Sequence, residues 1–247
     1  MSKPIIGIVA KPLLKSQIPK SLWKRLTIND EFRQLIVDNG GIPLGIIPNR
    51  YQGHSDTSDT LEKLSKQDYD DLMQEISLCD GIILQGGLTS DTYEIEIAKY
   101  CIEHNIPIMG ICAGFNNIAR ALNIEVKHKP ELVNHDIYTS EPVHNIILAN
   151  TDELKIILSN NEVDNVNHVN IKVNSLHQMF IEFEDIKGRQ DIQVLAISTD
   201  DVTHVEMFKY TESKYCIGIK WHPELNLNDE ITKVVFSTFI NSCRNDN

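Results

Sequence analysis

A cysteine flanked by glycines, Gly110-Ile111-Cys112-Ala113-Gly114, and a histidine followed two places later by a glutamate, His222-Pro223-Glu224, are the residues best suited to covalent chemistry. A thiolate nucleophile needs a base within hydrogen-bond reach and a third group that orients the base. Cys112, His222 and Glu224 supply these three types, and Pro223 stiffens the link between the last two. Attack on an acyl carbon also needs donors aimed at the oxygen that becomes negative. The backbone N–H of Ala113, the residue after the nucleophile, is the natural first donor. Gly87, closing Leu84-Gln85-Gly86-Gly87, is the candidate for the second, because a glycine pair at a strand end lets a backbone N–H face an open site.

These residues need elements that bring them together. The apolar run Ile106–Ile111 reads as a buried strand, and Phe115, Ile118, Ala119 and Leu122 recur at helical spacing. Strand, tight turn and helix make a nucleophile elbow with Cys112 at its apex. The helix aims its N-terminal N–H groups and positive dipole end at the sulfur, which favours thiolate over thiol. Far along the chain, Tyr215–Trp221 reads as a strand that delivers His222 and Glu224 at its end, and an extended backbone would place both on one side. The order cysteine, histidine, glutamate disfavours an α/β-hydrolase, in which the acid precedes the histidine.

The first half of the chain predicts a parallel sheet. Pro4–Ala10 reads as a strand, Lys11–Trp23 as a loop, Thr27–Asn39 as a helix stopped by Gly40-Gly41, and Ile42–Pro48 as a second strand, which together form a β-α-β unit. Asn49–Ser65 is polar and without period, a surface loop suited to a lid or specificity element. A helix over Gln67–Ser77 leads to a strand ending at Gly86-Gly87, and Tyr93–Glu103 is helical. After Leu122 the short β-branched segments Asn145–Ala149, Val169–Val173, Val194–Ser198 and Val202–Tyr210 point to a more antiparallel part, closed by a helix over Asp229–Ser242.

Composition limits the function classes. A net charge of -12 argues against a nucleic-acid or anionic-membrane surface, because both would need a basic face. The N-terminal apolar segment is too short to span a bilayer and lacks a signal-cleavage pattern, so the chain reads as cytoplasmic. The five cysteines, Cys79, Cys101, Cys112, Cys216 and Cys243, are odd in number and without C-x-x-C spacing, which argues against a disulfide framework and a zinc site. His128, His135 and His144 have no convincing ligand spacing with carboxylates, so no metal is expected. Without repeat or linker, residues 1–247 read as a single domain.

Four segments carry a family resemblance: Gly110–Gly114, the Leu84–Gly87 turn, Val173-Asn174-Ser175-Leu176-His177-Gln178 and Gly218-Ile219-Lys220-Trp221-His222-Pro223-Glu224. Together they resemble the class I glutamine amidotransferase-like superfamily, and within it the γ-glutamyl-γ-aminobutyrate hydrolases classed as C26 peptidases. The resemblance implies a flavodoxin-like three-layer α/β sandwich with a mostly parallel central sheet and an additional antiparallel β part. It also implies a Cys112, His222, Glu224 triad without metal or cofactor, acting on the γ-glutamyl amide of a small compound through a thioester. By the same resemblance Ser175 and His177 lie beside the substrate. Gly86 and Tyr93 are further candidate pocket residues. The chain departs from many relatives at Ala113, where arginine is common, and at Phe115-Asn116-Asn117, where glutamine often occupies the second position after the elbow glycine. Two alternatives stay open: a glutaminase subunit supplying ammonia to a separate synthetase, which the absence of a synthetase domain in the chain disfavours, and a non-catalytic binding protein of the same fold. A homodimer is likewise left open.

Overall fold

The computed structural model of the chain describes residues 2–12, 25–49, 54–55, 63–87, 89–90, 92–128, 139–149, 168–198 and 204–244. Strand β1 (Ile5–Val9) is followed by the short pair β2 (Lys11–Pro12) and β3 (Leu26–Thr27), then by α1 (Asp30–Asp38) and β4 (Ile42–Ile46). After β5 (His54–Ser55), α2 (Lys66–Ile76) begins at Ser65, whose hydroxyl accepts the Asp68 N–H as an N-cap. β6 (Gly81–Leu84) leads to β7 (Thr89–Ser90), which pairs with β5, and then to α3 (Thr92–Glu103). β8 (Ile108–Ile111) passes through Cys112 into α4 (Ala113–Ala121). The rest comprises β9 (Lys127–His128), β10 (His144–Ala149), β11 (His168–Val173), β12 (Met179–Phe180), α5 (Phe183–Ile186), β13 (Ile192–Ser198), β14 (Val205–Tyr210) and β15 (Cys216–Ile219). A 3-10 turn over Pro223–Leu225 and α6 (Glu230–Ser242) complete it.

A nine-stranded sheet runs in the order β11-β10-β13-β14-β15-β8-β6-β1-β4. From β15 to β4 every neighbouring pair is parallel, and from β11 to β15 every pair is antiparallel. The change of sense falls at β15, next to β8, so the strand that ends at Cys112 and the strand that leads to His222 are neighbours at the middle of the sheet.

The parallel strands are apolar on both faces because helices cover both. Ile83, Met109, Ile217 and Ile219 pack with Phe32 and Ile36 of α1 and with Val235, Phe236 and Phe239 of α6. Ile82, Leu84, Ile108 and Cys216 pack on the opposite face with Leu72 and Ile76 of α2, Ile97 and Cys101 of α3, and Phe115 and Ile118 of α4. Each fully buried isoleucine or phenylalanine contributes about 1.5–3 kcal/mol, so the two layers hold the β8–β15 centre rigidly.

The sequence expectations meet this structure with local changes. The helix expected over Thr27–Asn39 starts at Asp30, with Asn29 as its extended N-cap. Lys11–Pro12, expected in a loop, is a strand paired with Leu26–Thr27, and residues 13–24 lie outside the described set. The polar segment Asn49–Ser65 contains the two-residue strand β5, while 50–53 and 56–62 lie outside it. Among the described residues no helix is long and apolar enough to cross a membrane.

Candidate active site

Cys112 sits where β8 turns into α4, with φ 51° and ψ -98°. A positive φ is uncommon for a side-chain-bearing residue and costs of order 1–3 kcal/mol, so the surroundings must impose it. Two glycines do so by close approach. A Cβ on Gly114 would lie 2.1 Å from the Leu84 carbonyl oxygen, and one on Gly110 would lie 2.5 Å from the Gly114 carbonyl. The Cys112 N–H donates to the Ile219 carbonyl at 2.8 Å, which fastens the turn to β15. Ala113 is the first helical residue, so its N–H has no acceptor within its own helix.

His222 follows β15 by three residues. Its Nδ1 lies 2.6 Å from Glu224 Oε1, which leaves Nε2 for the Cys112 thiol within hydrogen-bond reach. The two residues meet across a 3-10 turn rather than along the extended segment expected from the sequence: the Asn226 N–H donates to the Pro223 carbonyl at 3.0 Å, and Pro223 has the fixed φ that opens a helical turn. Asn174 holds the turn from β11's end, its Nδ2 donating to the His222 carbonyl and its Oδ1 accepting the His222 N–H, both at 2.8 Å. Thr232 of α6 donates its hydroxyl to the Pro223 carbonyl at 2.8 Å.

The third wall is the turn after β6. A Cβ on Gly86 would fall 2.5 Å from His222 Cε1 and 3.5 Å from Cys112 Cβ, so Gly86 abuts the cysteine–histidine pair. Gly87 lies beside it, its Cα face covered by the Lys11 stem. Gln85 fixes this turn: its buried amide donates to the Val9 carbonyl at 2.7 Å and the Thr27 carbonyl at 2.9 Å and accepts the Asn29 N–H at 3.1 Å. Lys11 in turn donates to Glu94 of α3 at 2.6 Å, and Asn117 of α4 donates to the same carboxylate oxygen.

The electrostatics single out one thiol. Burial alone would push Cys112 up, but the charge and hydrogen bond of His222, joined by the Lys220 ammonium, draw it below its ordinary value. For His222, burial acts downward and is outweighed by the charges of Glu224 and Cys112, which raise it well above the usual imidazole value. The pair therefore favours thiolate and imidazolium. Burial pushes Cys79 up to about 11 and Cys216 and Cys243 up to about 12, and raises Cys101 as well.

The other expected site residues are also buried. Ser175 and His177 are buried, with Ser175 Oγ 3.3 Å from His177 Nδ1 and His177 Nε2 3.7 Å from Glu206 Oε1. Tyr93 is buried, its hydroxyl donating to the Ala10 carbonyl at 3.1 Å. His144 Nε2 lies 3.9 Å from Glu206 Oε2, and His135 is outside the described residues. Among the described residues no group of three or more His, Cys, Asp or Glu is placed to hold a metal ion. Sequence reasoning gave no role to Gln85, Asn174, Glu206 or Lys220, although a glutamate within Val205-Glu206-Met207-Phe208 and a lysine within Ile217-Gly218-Ile219-Lys220-Trp221 are charges inside apolar strands.

The chain has relatives among known proteins. The peptidase C26 family model matches residues 4–224. A glutamine amidotransferase-like protein of Rickettsia prowazekii is 26% identical over 92% of this chain and 92% of its own length. A glutamine-hydrolyzing GMP synthase component of Picrophilus torridus is 30% identical over 67% of this chain and 77% of its own. The glutaminase domain of Trypanosoma brucei CTPS, solved with bound acivicin, superposes with a TM-score of 0.62 at 15% identity, covering 97% of this chain and 93% of that one. The last likeness establishes the class I glutamine amidotransferase fold.

Proposed function

The chain belongs to the peptidase C26 family, and we propose that it is a cysteine hydrolase that cleaves the γ-glutamyl amide bond of a small γ-glutamyl compound, such as γ-glutamyl-γ-aminobutyrate. The observation that carries this reading is Cys112 on its strained turn, drawn down while the other four thiols are pushed up, beside a histidine engaged by Glu224. Cys112 Sγ attacks the γ-carbonyl carbon. The oxygen, now negative, is received by the backbone N–H groups of Ala113 and Gly87. His222 gives the proton it holds to the departing amine as the C–N bond breaks, leaving a thioester. Water then gives a proton to His222 and attacks the thioester, the C–S bond breaks, and glutamate leaves with Cys112 restored. Glu224 keeps the imidazole oriented and stabilises its charged form.

A second reading is favoured by the relatives. The Picrophilus protein is named as one component of a glutamine-hydrolyzing synthase, and the same triad chemistry on glutamine would release ammonia to a synthetase partner. Steady-state assay of the isolated chain separates the two. Hydrolysis of γ-glutamyl amines at a kcat/KM well above that for glutamine supports the hydrolase; glutaminase activity that appears only when a synthetase is added replaces it with the ammonia-supplying role. Cytoplasmic location belongs with either reading. A purely binding role is disfavoured by a thiol and imidazole poised for proton transfer.

A further inference from the structure

We propose that Lys220 is a further positioning residue of this site: its buried ammonium, fixed by Asn116 on the first turn of α4, is a standing positive charge that holds Cys112 as thiolate. Lys220 is 1% exposed, and a buried ammonium is unfavourable unless other groups compensate it. Here the compensation is built around the nucleophile. The Cys112 N–H donates to Ile219, the residue before Lys220; Lys220 Nζ donates to Asn116 Oδ1 at 2.9 Å; and the Asn116 N–H donates to the Cys112 carbonyl at 3.2 Å. These contacts close a ring that ties the ammonium to the first turn of α4, the turn that starts at Cys112. The Phe115 ring, 5.3 Å from Nζ, offers its negative face.

Glu206 faces this charge from β14, where the Lys220 N–H donates to its carbonyl at 2.8 Å. Glu206 is 0% exposed, neither carboxyl oxygen has a hydrogen-bond partner among the described residues, and burial pushes its pKa up to about 8. That raised value weakens the hold of Glu206 on the Lys220 ammonium, which draws the Cys112 thiol down alongside His222. Among the described residues the groups around Lys220 include Cys112, Asn116 and Phe115 from the elbow and α4, Glu206 from β14 with His177 and His144 beyond it, and the His222–Glu224 pair on the following turn.

The inference rests on Cys112 being the nucleophile of the proposed reaction, and its test needs no substrate. Iodoacetamide alkylates a thiolate when Sγ displaces iodide, so the pH profile of Cys112 alkylation, followed by peptide mass, reports the thiolate fraction. K220Q should move the midpoint upward by roughly one pH unit and cut the rate on the acid side about tenfold, while K220R restores most of it. If K220Q does not fold, K220Q/E206Q, which removes the facing acid as well, gives the same reading. An unshifted midpoint in a folded K220Q or K220Q/E206Q protein overturns the proposal, as does a K220R profile identical to that of K220Q. A wild-type chain with a low alkylation midpoint but no hydrolysis of any γ-glutamyl amide would remove the substrate assignment and leave the Lys220 proposal standing.

Discussion

At the scale of single residues, the site is a matter of close contact. Cys112 can take its positive φ because Gly114 lets α4 press its backbone against the Leu84 carbonyl at the end of β6. A methyl group at Gly114 would overlap that oxygen at 2.1 Å, against backbone that cannot swing aside. G114A should therefore lose about 3 kcal/mol or more of stability and lower the melting temperature by on the order of 10 °C. Thermal unfolding followed by circular dichroism checks this, and a melting temperature within about 2 °C of wild type would show that the turn relaxes easily. The same contacts explain why one cysteine of five is activated. Cys79, Cys101, Cys216 and Cys243 are buried among apolar side chains, whereas Cys112 faces His222 and Lys220.

At the scale of elements, the proposed triad depends on segments that converge at the ends of β6, β8 and β15. Asn174, just past the end of β11, ties the antiparallel half of the sheet to the His222 turn through two hydrogen bonds to the His222 backbone. N174A should leave the fold intact but lower kcat/KM for the γ-glutamyl substrate by about 100-fold, the effect of a misplaced base. A loss of less than about threefold would mean that the 3-10 turn and Thr232 alone position His222. The elbow was legible in the sequence because an apolar strand and a helical period meet at a glycine-flanked cysteine. The reach from His222 to Glu224 was legible as a pairing but not as a geometry, since a proline after a strand fits both an extended segment and the first residue of a helical turn. Two-residue strands such as β5 and β7 carry no period and were invisible. Lys220 and Glu206 stood in plain view as charges inside apolar runs, but their meaning lies in contacts across β14, β15 and α4 that no local pattern encodes.

At the scale of the whole molecule, the buried acid next to the site makes stability depend on pH. Burial raises Glu206 from the ordinary 4.5 to about 8. Between these values the folded chain keeps a proton that the unfolded chain has released, so this group's stabilising contribution is complete below about 4.5 and is lost as pH rises to about 8. E206Q, which cannot titrate, should remove that slope, so denaturant midpoints of wild type and E206Q measured from about pH 5 to pH 8 should diverge steadily, by a few kcal/mol at most. Parallel curves would show that Glu206 ionises normally. The central claim, that Cys112 is the nucleophile for a γ-glutamyl carbonyl, is tested most directly by incubating the chain with an electrophilic glutamine analogue and mapping the adduct by mass spectrometry. A single adduct on Cys112, slowed by a γ-glutamyl amide and absent from C112S, is the predicted result; an adduct on Cys79 or Cys243 with Cys112 left free would contradict it.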